Sequence, residues 1–428
     1  MKIGYSILAL ALLAVSCTKD APVPEQPASS FRIRIEGFES GLFQTDNERY
    51  PYHHFPQMVL ERLPEGERVL RLGGVYSHRS ASPDTTDYNF MDDYTRDEIL
   101  TQWDGCSPLK VPTAPVLQLL PGRTYRFTGM VETDRGTYRS NTVEIRSEKS
   151  APVVVSPDAY RIPVVFHLFA DDRGRYPKAD FLYDMLEYAN MVYGNYYGLP
   201  HLCDAKVCFV PAERDLDGRL LEQPGIRYER EKVYVDADAE QVSREFDPDI
   251  HLWDVEQVLN VWVCPFRGEE VDVIGFSWFP MFDEAHMLPG CTAYDPKVIC
   301  GVFLDGSALD AAGNLQSFAH EAGHFLGLGH VFKEDWCADT PCYDLESYLS
   351  VMYELRYEWE YADAPGRYFL SDNLMDYFFS YQCGVTPAQA GRIRHTLRYA
   401  YNIPGEAGIT APSLRSARAM RFPPNPVW

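Results

Sequence analysis

The chain has 428 residues and a formal net charge of −23 at neutral pH. Such an acidic balance excludes a surface for nucleic-acid phosphates and a polybasic membrane contact. The length suffices for two or three domains with buried cores, and no apolar stretch of membrane-spanning length occurs after the N-terminal residues.

The first 17 residues have the pattern of a signal peptide. A basic start at Lys2 precedes an apolar stretch that is too short to span a membrane as a helix. The small residues that run into Cys17 resemble the lipobox of bacterial lipoproteins, in which the cysteine carries the lipid. An ordinary signal peptide followed by a chance cysteine is the alternative. We expect export and anchoring at the outer membrane of a Gram-negative bacterium, on its periplasmic or cell-surface face, through the polar, proline-rich tether 18–30.

Residues 31–150 are predicted to form an all-β domain. Apolar and polar side chains alternate over residues 31–35 and 125–131, as in strands with one buried face. Residues 119–125 resemble the approach to a late strand of fibronectin type III domains. A hairpin turn at 134–137 and a last strand at 140–145 would follow. We expect a fibronectin III- or immunoglobulin-like β-sandwich.

A linker at 147–157 leads to a second domain, which we place at 158–405, before a proline-rich tail at 406–428. Its predicted elements in chain order are a buried strand at 160–167, a helix at 178–193, strands at 206–210, 258–263 and 300–304, and a helix from about Leu315. Strands that alternate with helices predict a sheet with helices packed behind it, an α/β (α+β) domain.

One segment reads H-E-x-x-H-x-x-G-x-x-H and predicts a catalytic zinc site. On a helix, His320 and His324 project from the same face and can share a metal. Gly327 can adopt positive φ and end the helix, so that His330 returns as the third ligand beside an open fourth position. Glu321 is not a ligand, and we predict that it takes a proton from water as general base.

Other segments carry a family resemblance. They are Leu259-Asn260-Val261-Trp262-Val263, similar to L-N-[IV]-x-V; residues 275–280, similar to G-[YF]-[SA]-x-F-P; the D-T-P loop at Asp339; a methionine-containing turn at 372–377; and Thr386-Pro387-Ala388-Gln389 with Arg392, similar to a closing helix. Over residues 160–400 the chain resembles the pappalysin/cytophagalysin family of metzincin metalloproteases.

The resemblance implies a zincin-like catalytic domain that binds Zn²⁺ through the three histidines and hydrolyses protein or peptide substrates. We expect the protein to be a monomer. It places Met375 as a hydrophobic floor beneath the ligands. It places Tyr377 like the metzincin tyrosine that binds the metal or the developing oxyanion. Plain core packing is the alternative for both side chains. Substrate would pair with the edge strand of the sheet, which we assign to residues 298–305.

The cysteines predict disulfides without fixing their pairing. Ten cysteines less the lipidated one leave nine, so at least one thiol is unpaired in an oxidising compartment. The resemblance places bridges among Cys337, Cys342 and Cys383. Further bridges would involve Cys203, Cys208, Cys264, Cys291 and Cys300. Cys106 is expected to be a free thiol, and a zinc-capping role for it is the less favoured alternative.

Some questions stay open at this stage. Asp335, Asp339, Asp344 and Asp372 are candidate Ca²⁺ ligands, as in some relatives, or simply solvated acids. The aromatic and acidic insertion 346–370 is a lid, a specificity wall or a solvated loop without a role. The stretch 378–383 lacks the acids that would favour a basic substrate residue. The alternatives to an endopeptidase are a surface binding protein on a metalloprotease scaffold and a zinc amidase acting on cell-wall peptide.

Overall fold

The computed structural model describes one long stretch of the chain, 155–404, apart from 240, 269–272, 307–314, 346–357 and 378–381. It also describes 33–35, 53–54, 57–61, 66–78, 86–89, 109–112, 117–118, 120, 124–146, 421–422 and 427. The signal peptide, the lipobox Cys17, the tether and Cys106 lie outside these residues. Among the described helices, none is long and apolar enough to cross a bilayer.

The described residues before position 147 form strands that pair antiparallel. They are β1 (Ile33–Ile35), β2 (His53–His54), β3 (Gln57–Leu60), β4 (Val69–His78), β5 (Thr86–Asn89), β6 (Leu109–Pro112), β7 (Leu117–Gln118), β8 (Thr124–Thr133) and β9 (Thr137–Arg146). The main sheets have the orders β1-β3-β6 and β5-β4-β8-β9, and β2 pairs with β7. The predicted hairpin at 134–137 joins β8 to β9. Whether the two main sheets stack as a sandwich stays a prediction.

The second region alternates strands with helices, as the sequence predicts. Its strands are β10 (Tyr160–Leu168), β11 (Val207–Pro211), β12 (Ile226–Tyr228), β13 (Val235–Asp236), β14 (Gln241–Val242), β15 (Leu259–Cys264), β16 (Phe266–Arg267), β17 (Gly275–Ser277), β18 (Met281–Phe282), β19 (Thr292–Ala293), β20 (Val302–Asp305), β21 (Glu358–Glu360) and β22 (Tyr368–Leu370). Its helices are α1 (Ala179–Tyr193), α2 (Pro248–His251), α3 (Gln316–Phe325) and α4 (Pro387–Tyr399).

A six-stranded sheet organises this region. Its order is β11-β10-β15-β20-β17, with β12 also paired to β10. The strands run parallel except β17, which is antiparallel to β20. The parallel strands are buried apolar runs because both sheet faces are covered.

The two faces of the sheet are covered differently. On one face lie α1 and α3, where the ring of Phe318 meets Phe166 at 5.7 Å and Phe209 at 5.1 Å between centroids. The opposite face carries an aromatic cluster in which Trp262 stacks on Phe303 at 4.8 Å. Helix α3 is thereby fixed against the sheet, and this helix carries the H-E-x-x-H segment.

The predicted edge strand is wrong. Residues 302–305 form β20, which has β15 on one side and β17 on the other, so its backbone groups are already paired. The edge is β17, three residues that precede β20 in sequence and turn back to pair outside it. Strand order is a long-range property, and the position of a strand just before the active-site helix does not decide it.

Candidate metal centre and active site

Helix α3 ends at the glycine that the motif provides. The N–H of Leu328 donates to Gly323 O at 2.9 Å, and the N–H of Gly327 donates to His324 O at 2.9 Å. Gly327 has φ +91°, which confirms the predicted positive φ. These paired bonds form a Schellman motif, and they turn the chain so that His330 comes back beneath the helix.

The three motif histidines converge on one point. His330 Nε2 lies 3.1 Å from His320 Nε2 and 3.2 Å from His324 Nε2. His320 Nδ1 is 2.9 Å from Leu374 O, and His324 Nδ1 is 2.7 Å from Leu328 O. A carbonyl only accepts, so both Nδ1 atoms carry the proton and both Nε2 atoms present lone pairs.

This arrangement fits zinc. Tetrahedral Zn–N bonds of about 2.05 Å place ligand nitrogens about 3.3 Å apart, close to the spacings here. Converging lone pairs repel one another unless a cation lies between them. Burial lowers the pKa of His320 to about 4 and is the main cause that lowers the pKa of His324 and His330 well below the ordinary value. All three rings are therefore neutral and able to ligate near neutral pH.

Glu321 lies on the same helix turn with an unused oxygen. Its side chain is buried, and among the described residues its Oε2 has no hydrogen-bond partner. Burial raises the pKa of this carboxyl well above its ordinary value. The edge strand is adjacent, because a Cβ built on Gly275 would lie 3.0 Å from Glu321 Cγ. The Glu321 side chain thus contacts the sheet edge, one residue along the helix from His320.

Met375 lies under the metal-binding helix and is fully buried. A Cβ built on Gly323 would come within 2.4 Å of Met375 Sδ, so the methionine contacts the helix between the two histidines of H-E-x-x-H. The neighbouring residue, Leu374, holds His320 through its carbonyl. The methionine turn therefore supports one ligand by packing and orients it by a hydrogen bond.

Tyr377 lies beside the third ligand. Its ring centroid is 5.1 Å from that of His330 and 6.4 Å from that of His320. Burial, and then the Glu321 carboxylate, raise the pKa of the Tyr377 hydroxyl, so it stays protonated and able to donate at neutral pH. Phe332 packs on Tyr377 at 4.6 Å and stacks on His330 at 4.7 Å.

The candidate calcium ligands have other partners. Asp339 accepts from Thr386 Oγ1 at 2.7 Å and from Ala388 N at 2.9 Å, at the start of α4. Asp372 pairs with His201 at 2.8 Å. Among the described residues, the four acids do not gather as one cation-binding group. The structure therefore gives calcium no support.

A second group of potential ligands is also engaged within the protein. Glu229, Glu231 and His251 lie close together. Glu229 bonds His167 Nδ1 at 2.7 Å and Arg227 Nε at 2.8 Å. Glu231 bonds His251 Nε2 at 3.1 Å. A carboxylate already paired with a guanidinium is a poor cation ligand, so the histidine triad is the better candidate metal centre.

The cysteines of the catalytic region are free thiols in the structure: Cys203, Cys208, Cys264, Cys291, Cys300, Cys337, Cys342 and Cys383. No disulfide joins them in the described part of the chain, and the predicted bridges stay predictions.

In the insertion 346–370, β21 and β22 form an antiparallel hairpin, while 346–357 lie outside the described residues.

Sequence reasoning missed the roles of several supporting residues. Arg392 donates through Nε to Gly327 O at 2.9 Å and through Nη2 to Pro289 O at 3.0 Å, so it holds the turn that delivers His330. Gly323 was not singled out either, although a glycine inside a helix costs about 1 kcal/mol and so indicates a close approach. The stacking of Phe332 on His330 had no sequence signal.

Comparison with known proteins finds a family model that matches the region carrying the histidine triad. Residues 244–398 match the family model Peptidase_M43, described as pregnancy-associated plasma protein-A. Among curated proteins, none matches the chain.

Two solved structures are similar to the chain. Mirolysin in complex with compound 9 is 17% identical over 56% of this chain and 91% of that one, with a TM-score of 0.38. A mutant of Tannerella forsythia promirolysin is 18% identical over 57% of this chain and 82% of that one, also with a TM-score of 0.38. The family match spans β15, β17, β20, α3 and α4, which carry the histidine triad and its supports. The match over residues 244–398 identifies this region as a zinc metalloprotease domain of the pappalysin type.

Proposed function

We propose that the chain is an exported, lipid-anchored zinc endopeptidase that cleaves extended peptide segments with Glu321 as general base. The observation that carries the catalytic part is the combination of three converging Nε2 atoms with the buried Oε2 of Glu321, which has no hydrogen-bond partner among the described residues. A protein that only binds ligands has no need for a buried carboxylate held beside the metal ligands.

The proposed reaction assigns a separate role to each side chain of the site. Zinc, when bound, supplies Lewis acidity that polarises the scissile carbonyl and lowers the pKa of water towards about 7. Glu321 takes the proton from the attacking water and then gives it to the leaving amine. The Tyr377 hydroxyl donates a hydrogen bond to the negative oxygen that develops on the carbonyl. His320, His324 and His330 hold the metal.

The edge strand β17 is where we place the substrate backbone. Asp305 N–H donates to Ile274 O at 2.8 Å, so the bonds to β20 fall on Ile274 and Phe276. Alternation in an antiparallel pair then turns the backbone groups of Gly275 and Ser277 outwards. An extended peptide can pair with them beside Glu321, using main-chain bonds for affinity and side-chain pockets for specificity.

The location and the N-terminal module are proposals from the sequence. The lipobox at Cys17 supports lipid anchoring, and the two antiparallel sheets of three and four strands support a sandwich. Incorporation of labelled palmitate and recovery with membranes should both be lost in Cys17→Ala. A variant that keeps its label and its membrane association would refute the anchor.

The catalytic proposal is tested by mapping cleavage sites. The purified protein is incubated with a proteome-derived peptide library, and products are identified by mass spectrometry. We expect internal cleavages that a chelator abolishes, together with loss of at least about 1,000-fold in Glu321→Gln at unchanged zinc content. Cleavage of cell-wall peptide alone would indicate the amidase. Full activity in the zinc-loaded variant would remove Glu321 from its role.

A further inference from the structure

Val427 lies on the strand edge where substrate is proposed to pair. Val427 N–H donates to Ser277 O at 2.7 Å, and Ser277 N–H donates to Val427 O at 3.2 Å. This is an antiparallel bridge to Ser277, one of the two outward-facing residues of β17. A bound peptide would use the same two backbone groups, so both cannot occupy them at once.

The position of Ser277 relative to the catalytic groups makes this contact significant. Gly275, two residues before it, lies against Glu321. Phe279, two residues after it, has its ring 6.0 Å from that of His324 in an edge-on contact. Ser277 therefore lies on the part of the strand that runs past the general base and a metal ligand. A backbone paired there follows the rim of the catalytic site.

The same segment is anchored a few residues earlier. Arg421 N–H donates to Lys297 O at 2.7 Å and its carbonyl accepts from Ile299 N at 2.9 Å. Phe422 stacks on Trp278 at 5.1 Å and 11°, and it packs on Phe303 at 5.4 Å. Phe422 thus completes the aromatic cluster on the sheet face opposite α3, beside the edge.

We propose that the segment containing Arg421, Phe422 and Val427 acts in cis as an extended peptide on β17, an autoinhibitory contact that substrate must displace. The inference rests on the proposed function, since it assumes that substrate pairs with this edge. The intervening sequence contains Pro423, Pro424 and Pro426, and proline favours extended backbone without competing N–H donors.

The test compares two substitutions at one position in the full-length, zinc-loaded protein. Val427→Pro removes the N–H that donates to Ser277 O, whereas Val427→Ala keeps both backbone bonds. We expect Val427→Pro to lower KM for a cleaved peptide about three- to tenfold, the size of one lost hydrogen bond, with kcat unchanged. Val427→Ala should behave as the wild type. Phe422→Ser, which loosens the anchor, should act in the same direction as Val427→Pro.

A synthetic peptide with the sequence of residues 419–428 supplies the second measurement. It should inhibit Val427→Pro competitively and inhibit it more strongly than the wild type, whose own segment already occupies the edge. The inference fails if Val427→Pro and Val427→Ala have equal KM values, or if Val427→Pro only lowers the thermal midpoint. A wild type that cleaves no peptide would instead refute the proposed function.

Discussion

The orientation of the two helix histidines depends on the hydrogen bonds of their other ring nitrogen. His320 and His324 each donate Nδ1–H to a backbone carbonyl, Leu374 O and Leu328 O, and this fixes the tautomer that leaves Nε2 for the metal. The carbonyls belong to the methionine turn and to the chain just after Gly327. The ligand geometry therefore depends on two turns as well as on the helix that carries the histidines.

Tyr377 provides the first residue-level prediction. Tyr377→Phe keeps the ring against His330 and Phe332 but removes the hydroxyl donor. We expect kcat/KM to fall roughly 10–100-fold at unchanged zinc content, as for loss of one donor to transition-state charge. Steady-state kinetics and metal analysis check this. Wild-type turnover in the variant would assign Tyr377 to core packing.

Gly323 provides the second prediction. In Gly323→Ala the new Cβ would lie 2.4 Å from Met375 Sδ, so the helix or the methionine turn must shift. We expect a net loss of about 2 kcal/mol in unfolding free energy and weaker zinc binding, because His320 and His324 flank this position. Gly391→Ala in α4, where a Cβ meets nothing within 4 Å, is the matched control. It should be neutral or gain up to about 1 kcal/mol. Equal changes in unfolding free energy for Gly323→Ala and Gly391→Ala would exclude the contact between Gly323 and Met375.

At the scale of elements, local pattern predicted the strands and helices well. The run at 160–167 became β10, and the helix at 178–193 became α1, because buried runs and apolar stripes are local signals. The edge strand was missed because β17 has only three residues, all buried, and no alternation that marks an edge. Pairing partners depend on where the chain returns, which periodicity does not encode.

The contact between the methionine turn and α4 gives an element-level prediction. Gln389 is fully buried, accepts from Thr386 N and from Asn373 Nδ2 at 2.9 Å each, and donates to Asn373 Oδ1 at 3.0 Å. Asn373 Oδ1 also accepts from Met375 N at 2.9 Å. Gln389→Ala leaves buried polar groups without partners, and we expect a loss of about 3 kcal/mol.

Urea unfolding of the zinc-loaded protein measures this loss. Gln257→Ala is the control, since the exposed Gln257 side chain donates to the exposed Asp254 and its loss should cost under about 0.5 kcal/mol. A similar midpoint shift in both variants would mean that Gln389 does not tie the turn to the helix. A larger shift in Gln389→Ala accompanied by faster zinc release would support that tie.

At the scale of the whole molecule, metal binding and pH are expected to control stability together. The three ligands are buried with lowered pKa values, about 4 for His320. Without metal, these histidines bind protons below about pH 6.5 in the unfolded chain but stay neutral in the folded chain. The free energy of unfolding is therefore not reduced by these histidines above pH 6.5. It falls as the pH falls towards 4, by at most about 1.4 kcal/mol per pH unit for each histidine.

Zinc adds stability that acid removes, because protons compete with the metal for the same Nε2 atoms. Glu321 and Asp376 act in the opposite sense, since burial raises the pKa of each carboxyl and their contribution to stability is lost as the pH rises.

Comparison of the wild type with His324→Gln separates the effect of the histidine from the effect of these two carboxyl groups. We expect urea midpoints at pH 7.5, 6 and 5 to show the largest zinc gain at pH 7.5 and a shrinking gain in acid. The metal-free wild type should lose more stability between pH 6 and 5 than His324→Gln. Parallel pH curves for the two proteins, or equal midpoints with and without zinc at pH 7.5, would contradict a buried, neutral histidine site that folding and zinc share.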